Sequence, residues 1–297
     1  MRGVVRKLLL QRPADTVTIV FLVFLAALTV FFYQAIQEAP LLILLYLSLI
    51  LVQLVLIRNK YRGKAIGFVY DLVFPTVCVL LVFDSLEGIV HFVNPRDIDP
   101  LLIRIDYMVF GNHPTVMLEN YMTPLLTDLL QIAYSSYYFI PISFGAILLA
   151  RNQRKEFDIS LFLILFCFYL SYLGYILFPA LGPRFYLDQL QTTELQGLLV
   201  AEPLMNLLNR LEGIKRDAFP SGHTAITLAV LYLSHKFVRA LFWIYLPIVT
   251  ALIFSAVYCR YHYVIDIIAG IWLMAVTIII GQWYYRWRER QIHTRSP

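Results

Sequence analysis

The sequence predicts an all-α, polytopic membrane helix bundle of about eight transmembrane helices, and three observations carry that prediction. Of 297 residues, 60% are hydrophobic and only 14% charged, close to the reverse of what a soluble domain needs for its surface. The mean hydropathy is +0.72. Uncharged runs recur between charged clusters, each near the ~20 residues that cross a hydrocarbon core as a helix. These features exclude a cytosolic enzyme, a disordered tail and a nucleic-acid-binding module. The net charge of +5 acquires meaning only when it is placed along the chain.

The runs follow in order. Thr16 to Gln37, Ala39 to Ile57, and Ala65 to Phe83 with Asp71 inside it come first; Leu129 to Ala150 and Ile159 to Pro179 follow. Ser221 to His235, Ala240 to Cys259 and Tyr261 to Tyr285 complete the set, the last with Asp266 near its start. The first run has a basic leader, but it outlasts a signal-peptide core and ends at no small-residue cleavage site, so it reads as an uncleaved span. Pro75 and Pro141 are expected to kink their helices. Two organisational units result: residues 1–64 as two amino-terminal helices, and residues 65–297 as a six-helix catalytic core. Two outer segments, 84–128 and 180–219, interleave apolar with polar residues, as short interfacial helices capping the bundle do. Cys78, Cys167 and Cys259 are scattered and define no disulfide framework.

Basic residues test the topology, because they concentrate in cytoplasmic loops. Arg2, Arg6, Lys7 and Arg12 precede the first span; Arg58, Lys60, Arg62 and Lys64 follow the second. Arg151, Arg154, Lys155, Lys236, Arg239, Arg286, Arg288, Arg290 and Arg295 fall on the same side. Only seven bases reach the other side. Both termini are therefore expected in the cytoplasm.

On the opposite side, three distant segments end at one level: Gly182-Pro183-Arg184-Phe185, Pro220-Ser221-Gly222-His223, and Arg260-Tyr261-His262-Tyr263-Val264-Ile265-Asp266. His262 and Asp266 are spaced to share a helix face, so the carboxylate can fix the imidazole tautomer and leave the other nitrogen as a nucleophile. The alternative is a pair that merely satisfies a buried carboxylate. Ser221 can cap a helix whose free N–H groups seat phosphate, with Gly222 admitting the ligand and His223 serving as a proton donor. An ordinary capped helix is the plainer account. Arg184, Arg260, Lys215 and Arg216 add positive charge, although Lys215 and Arg216 equally suit lipid head groups or neighbouring acids. A metal is a competing guest for His223, His262 and Asp266, but clustered cations favour an anion. Asp71 is expected to serve packing or an inter-helix hydrogen bond rather than a transport pathway. His91 and His113 are expected at the surface, and His235 and His293 away from the site.

These three segments resemble the signature motifs of the type 2 phosphatidic acid phosphatase superfamily, over roughly Leu125 to Tyr285. The resemblance implies a six-helix membrane core, no metal or other cofactor, and phosphoryl transfer through a phosphohistidine. It makes His262 the nucleophile, Asp266 its orienting partner and His223 the general acid/base, with Arg184, Ser221, Gly222 and Arg260 holding phosphate. Two positions depart from the pattern: Leu177 stands where the first motif usually has Lys, and Ala256 where the third usually has Arg. Arg260, four residues after Ala256, shares its face if the helix continues. These departures, and the stretch Asp106 to Pro114, are similar to the inositol phosphorylceramide synthase-like branch. The expectation is thus an integral membrane lipid phosphatase or head-group phosphotransferase with an extracytoplasmic site. Its partners would be the bilayer, a lipid phosphate or phospholipid, and water, an alcohol or inositol as acceptor.

Overall fold

The structure, a computed structural model, describes residues 12–211 and 215–293. The terminal bases Arg2, Arg6, Lys7 and Arg295 lie outside the described residues. Among those described, the fold is entirely helical, and it is a polytopic membrane bundle. Its long helices are α1 (Pro13–Phe31), α2 (Ala39–Asn59), α3 (Lys64–Ser85), α7 (Pro124–Ala150), α8 (Arg154–Leu177), α11 (Gly222–Phe237), α12 (Arg239–Tyr258) and α13 (Val264–His293). Seven are long and apolar enough to cross a membrane. The exception is α11, whose 16 residues rise only about 24 Å. It is walled by protein, with Ala225, Ile226, Ala229, Val230 and Leu233 fully buried, so its length need not match the hydrocarbon thickness. Shorter helices cap one end, as the interleaved outer segments predict: α4 (Glu87–Val93), α5 (Asp99–Phe110), α6 (Pro114–Met117), α9 (Pro183–Tyr186) and α10 (Ala201–Leu211).

Pro75 and Pro141 each follow an irregular turn in their helices. A proline removes one backbone donor and crowds the carbonyl four residues earlier. Four residues before Pro75 lies Asp71, inside a π turn over Val69–Val73; four before Pro141 lies Tyr137, inside a 3-10 turn over Ser136–Tyr138. The π turn carries Asp71 into the bundle, where Arg12 Nη1 donates to its carboxylate at 3.0 Å and Arg154 closes a second ion pair. Arg12 also meets Asp15 at 3.3 Å, and Gln53 donates to the Asp15 carbonyl. Asp71 thus ties α1, α3 and α8 together at the end away from the capping helices. Arg288 of α13 feels the charge of Asp15, which brings both described ends of the chain to that same end.

The central wall is α8, the most buried of the seven helices long enough to cross a membrane. Tyr169 stacks on Phe21 at 4.6 Å, and its hydroxyl donates to Thr18 of α1. Gly281 of α13 faces α8 so closely that a Cβ would strike Leu163.

Candidate functional site

The three segments singled out from sequence meet at the capped end. Ala218 N donates to Ala180 O at 3.0 Å, Arg184 N to Arg260 O at 3.1 Å, and Ser221 N to Asp266 O at 3.1 Å. Gly182, with φ +92°, is held where a Cβ would sit 2.7 Å from the Tyr261 carbonyl, so only glycine fits. The rings of His223 and His262 are 5.8 Å apart and inclined at 61°. Both are buried, at 6% and 3% exposure.

His262 stands ahead of α13 rather than within it, because the helix begins at Val264. Its Nδ1 lies 2.8 Å from the Ala218 carbonyl and 3.5 Å from Asp266 Oδ2. A carbonyl only accepts, so Nδ1 carries the proton and Nε2 is left with its lone pair. Nδ1 therefore donates to the Ala218 carbonyl, and the Asp266 carboxylate, 3.5 Å from the ring, accepts from Tyr263 N at 2.8 Å. Burial pushes the His262 imidazole down to about 4; nearby Asp217 and the Ala218 bond oppose this, and Arg184 reinforces it.

His223 lies in the first turn of α11. Its ring is stacked on Tyr134 at 4.4 Å, tilted against Tyr137 at 4.0 Å, and its Nδ1 is 3.3 Å from the Tyr134 hydroxyl. Nε2 is buried with no protein partner among the described residues. Ser221 is the cap: its Oγ accepts from Thr224 N at 3.3 Å and donates to Thr224 Oγ1 at 3.1 Å. The space beside Gly222 is filled by the Tyr175 hydroxyl, so the missing side chain admits that residue. The Arg184 guanidinium covers the Tyr261 ring at 5.1 Å and is close enough to act on His262.

The other expected cations are engaged elsewhere. Arg260 pairs with Glu119 at 2.7 Å and donates to the Thr193 carbonyl. The reason is local: α12 ends at Tyr258 and Arg260 takes a left-handed φ of +63°, so it does not share a helix face with Ala256. Arg216 holds Asp97 at 2.8 Å and touches His91. Lys215 is exposed, with its backbone N–H on Glu87.

Three carboxylates that sequence reasoning passed over fasten the loops. Asp99 of α5 accepts from Leu181 N at 2.9 Å, Gly182 N at 2.8 Å and the Tyr263 hydroxyl at 2.9 Å. Asp106, two turns further along the same face of α5, accepts from Val264 N and Ile265 N. Asp128 caps α10 through four N–H groups, from Leu198 to Ala201. Burial raises the Asp99 and Asp106 carboxyls while these bonds lower them. The stretch beginning at Asp106 was the one available signal; nothing local marks Asp99 or the Ala218 carbonyl. Asp99→Ala strands three buried donors, each worth about 1–3 kcal/mol. It is expected to lower the melting temperature of the detergent-solubilised protein, while Asp99→Asn, which keeps an acceptor, lowers it less.

Two cavities adjoin the site. One is an apolar groove between α3, the second half of α7 and α8, running from Asp71, Gly145 and Phe157 to Tyr137, Tyr175, Asp217 and His223. The other is polar and open, lined by Arg184, Asp188, Gln191, Glu194, Glu202, Asn206, Arg260 and Tyr261.

A bundle of apolar helices that gathers two histidines, a carboxylate and an arginine at one end, beside a groove among its spans, defines an integral membrane protein with an enzyme-like polar site. Residues 100–280 match the PAP2 superfamily. This is more than half of the chain, and the protein belongs to that superfamily. The chain is also 23% identical over 186 residues to a PA-phosphatase related-family protein of Dictyostelium discoideum, covering 56% of this chain and 34% of that one. It thus spans about a third of the length of that curated relative. No solved structure matches it.

Proposed function

We propose that the protein is a membrane lipid phosphate phosphatase or head-group phosphotransferase working through a phosphohistidine on His262. The observation that carries this reading is the His262 imidazole, buried beside Arg184 and His223, with Nδ1 committed to the Ala218 carbonyl and Nε2 left as the nucleophilic atom. In the first half-reaction Nε2 forms a bond to phosphorus, the bond to the lipid oxygen breaks, and His223 gives that oxygen a proton. In the second, His223 takes a proton from water or a hydroxyl acceptor, whose oxygen displaces the phosphoryl group from His262. Arg184 and the backbone at the start of α11 offset the charge of the transferring group. Asp266 serves as a support for the His262 loop through Tyr263 N, with its carboxylate 3.5 Å from the ring. Lys215, Arg216 and Arg260 support the outer loops instead of the phosphate.

The charge bias along the chain supports an extracytoplasmic site and cytoplasmic termini, since Arg12, Arg154 and Arg288 occupy the end away from the histidines. A transferase reading, with inositol or another polyol as acceptor as in the inositol phosphorylceramide synthase-like branch, is favoured by the polar cavity that shares Arg184 and Tyr261 with the site. Its carboxylates and amides can bond several hydroxyls at once.

The test is turnover by purified protein of a lipid phosphate or a phospholipid donor, with and without inositol. Free phosphate indicates hydrolysis and a new head-group lipid indicates transfer; neither product from any donor, in protein shown to be folded, refutes the reading. A pH profile adds a second check. His262 is neutral and nucleophilic above about 4, so the acid limb of kcat/KM is expected near pH 4 rather than at the ~6.5 of an ordinary histidine.

A further inference from the structure

We propose that the groove between α3, α7 and α8 is a binding site for one hydrocarbon chain of the substrate and measures that chain's length, with Ile142 and Gly145 as successive marks on the scale. The inference rests on the phosphatase reading for the position of the head group, and its binding arm stands without it.

The groove begins at the chemistry. His223 and Asp217 line one end, together with Tyr137, Tyr138 and Tyr175. From there its walls become aliphatic, through Val79, Leu80, Ile142, Ile164 and Leu165, down to Leu72, Gly145 and Phe157. Along α8 the lining runs from Tyr175 back to Phe157, about 27 Å at 1.5 Å per residue, close to the ~30 Å depth of a hydrocarbon core. Most polar groups along the way are already satisfied, the exception among the described residues being the buried Ser160 hydroxyl. The Thr76 hydroxyl donates to the Leu72 carbonyl, the Tyr172 hydroxyl to the Val79 carbonyl, and the Asp71 carboxylate at the floor is held by Arg12 and Arg154. Apart from that hydroxyl, the stretch between the histidine end and Asp71 offers mainly apolar contact. Leu80 and Ile142, 45% and 40% exposed, open one side towards the lipid, so a chain enters sideways without crossing water. A furrow between two neighbouring helices, floored by a third, admits one polymethylene chain.

The helix that carries the scale runs away from the site. Tyr137 touches His223; Ile142 and Gly145 follow on α7 about 7 and 12 Å further from it. Gly145 leaves the deep part open: a Cβ there would come within 3.3 Å of Leu72 on one wall and Phe157 on the other. A larger side chain closes the groove below that point. One at Ile142 closes it nearer the histidines.

The experiment measures kcat/KM for monomeric single-chain alkyl phosphates of roughly 8, 12 and 18 carbons, dissolved below their micellar concentration, where each methylene taken from water is worth about four-fold. The wild type is expected to gain with each increment. Gly145→Leu is expected to lose at least about ten-fold on the longest substrate and less than about two-fold on the shortest, through KM; Ile142→Trp, on the lipid-exposed side, moves the cut-off to shorter chains. Equal losses at all lengths in both variants, with melting temperatures unchanged, overturn the ruler. Folding of Gly145→Leu is checked separately, and Ile142→Trp with chain-terminal photolabelling carries the test if that variant fails. In the binding arm, an alkyl phosphate with a diazirine at the chain terminus is crosslinked to the wild-type protein. Labels on Leu72, Gly145 or Phe157 are expected. Labels confined to other surfaces, or crosslinks that join two copies through this groove, overturn the assignment. Labelling of the groove without turnover of any alkyl phosphate leaves the chain site standing and removes the phosphatase reading, so the two failures are distinguishable.

Discussion

Replacing His262 by alanine is expected to abolish turnover, leaving no product above the rate of a blank membrane. The effect is total because the substitution removes the atom that bonds to phosphorus. His262 presents Nε2 because Nδ1 is held at 2.8 Å by the Ala218 carbonyl, and among the described residues its only imidazole neighbour is His223, 5.8 Å away. A neighbouring general base alone activates water poorly where the phosphohistidine route has been lost. The measurement is the rate of release from a lipid phosphate, together with acid-labile labelling by a substrate that carries radioactive phosphorus. Wild type is expected to trap label on His262 and the variant none. Full turnover by His262→Ala overturns the assignment of the nucleophile and with it the mechanism.

The second large effect is expected at His223. General acid/base assistance is commonly about 10²- to 10⁴-fold, so His223→Ala should fall within that range and not to zero. Its signature is a dependence on the leaving group. An alkyl phosphate loses a strongly basic alkoxide and needs the proton, whereas an aryl phosphate leaves readily without one. The variant is therefore expected to recover most of its rate on the aryl substrate. Equal losses on both substrates would assign His223 to packing, a role its contacts with Tyr134 and Tyr137 also permit. The Ala218 carbonyl makes a further distinction testable: Asp266→Asn leaves the His262 bond to Ala218 in place, so it is expected to be much milder than His262→Ala.

The membrane bundle was legible in the sequence because hydrocarbon imposes a one-dimensional rule: every spanning segment must bury its own backbone hydrogen bonds over a set length. Apolar runs between charges therefore locate all eight long helices, with ends that differ by up to eight residues: α7 and α8 start five residues earlier, at Pro124 and Arg154, α1 ends at Phe31, and α13 continues to His293. Pro75 and Pro141 were equally local, each lying four residues after a residue of an irregular turn, whereas Pro247 sits within the regular helix α12. The histidines and Arg184 were singled out because their residue types and order are themselves the signal.

What the sequence by itself determined, then, is which segments are helices and which three of them hold reactive groups. Only the tertiary structure decided which atoms meet. Spacing of four residues paired Asp266 with His262, and the two lie 3.5 Å apart; the same spacing placed Arg260 beneath Ala256, which assumed a continuous helix. The chain breaks at Tyr258 and resumes at Val264, so the imidazole turned to a backbone carbonyl from another loop and the guanidinium to Glu119. A carbonyl carries no residue-type signal, and Asp99 reaches the site from a capping helix more than 80 residues before the loop it holds. Helix periodicity is a property of local backbone geometry, whereas the partners of a loop are set by whichever distant chain is packed against it.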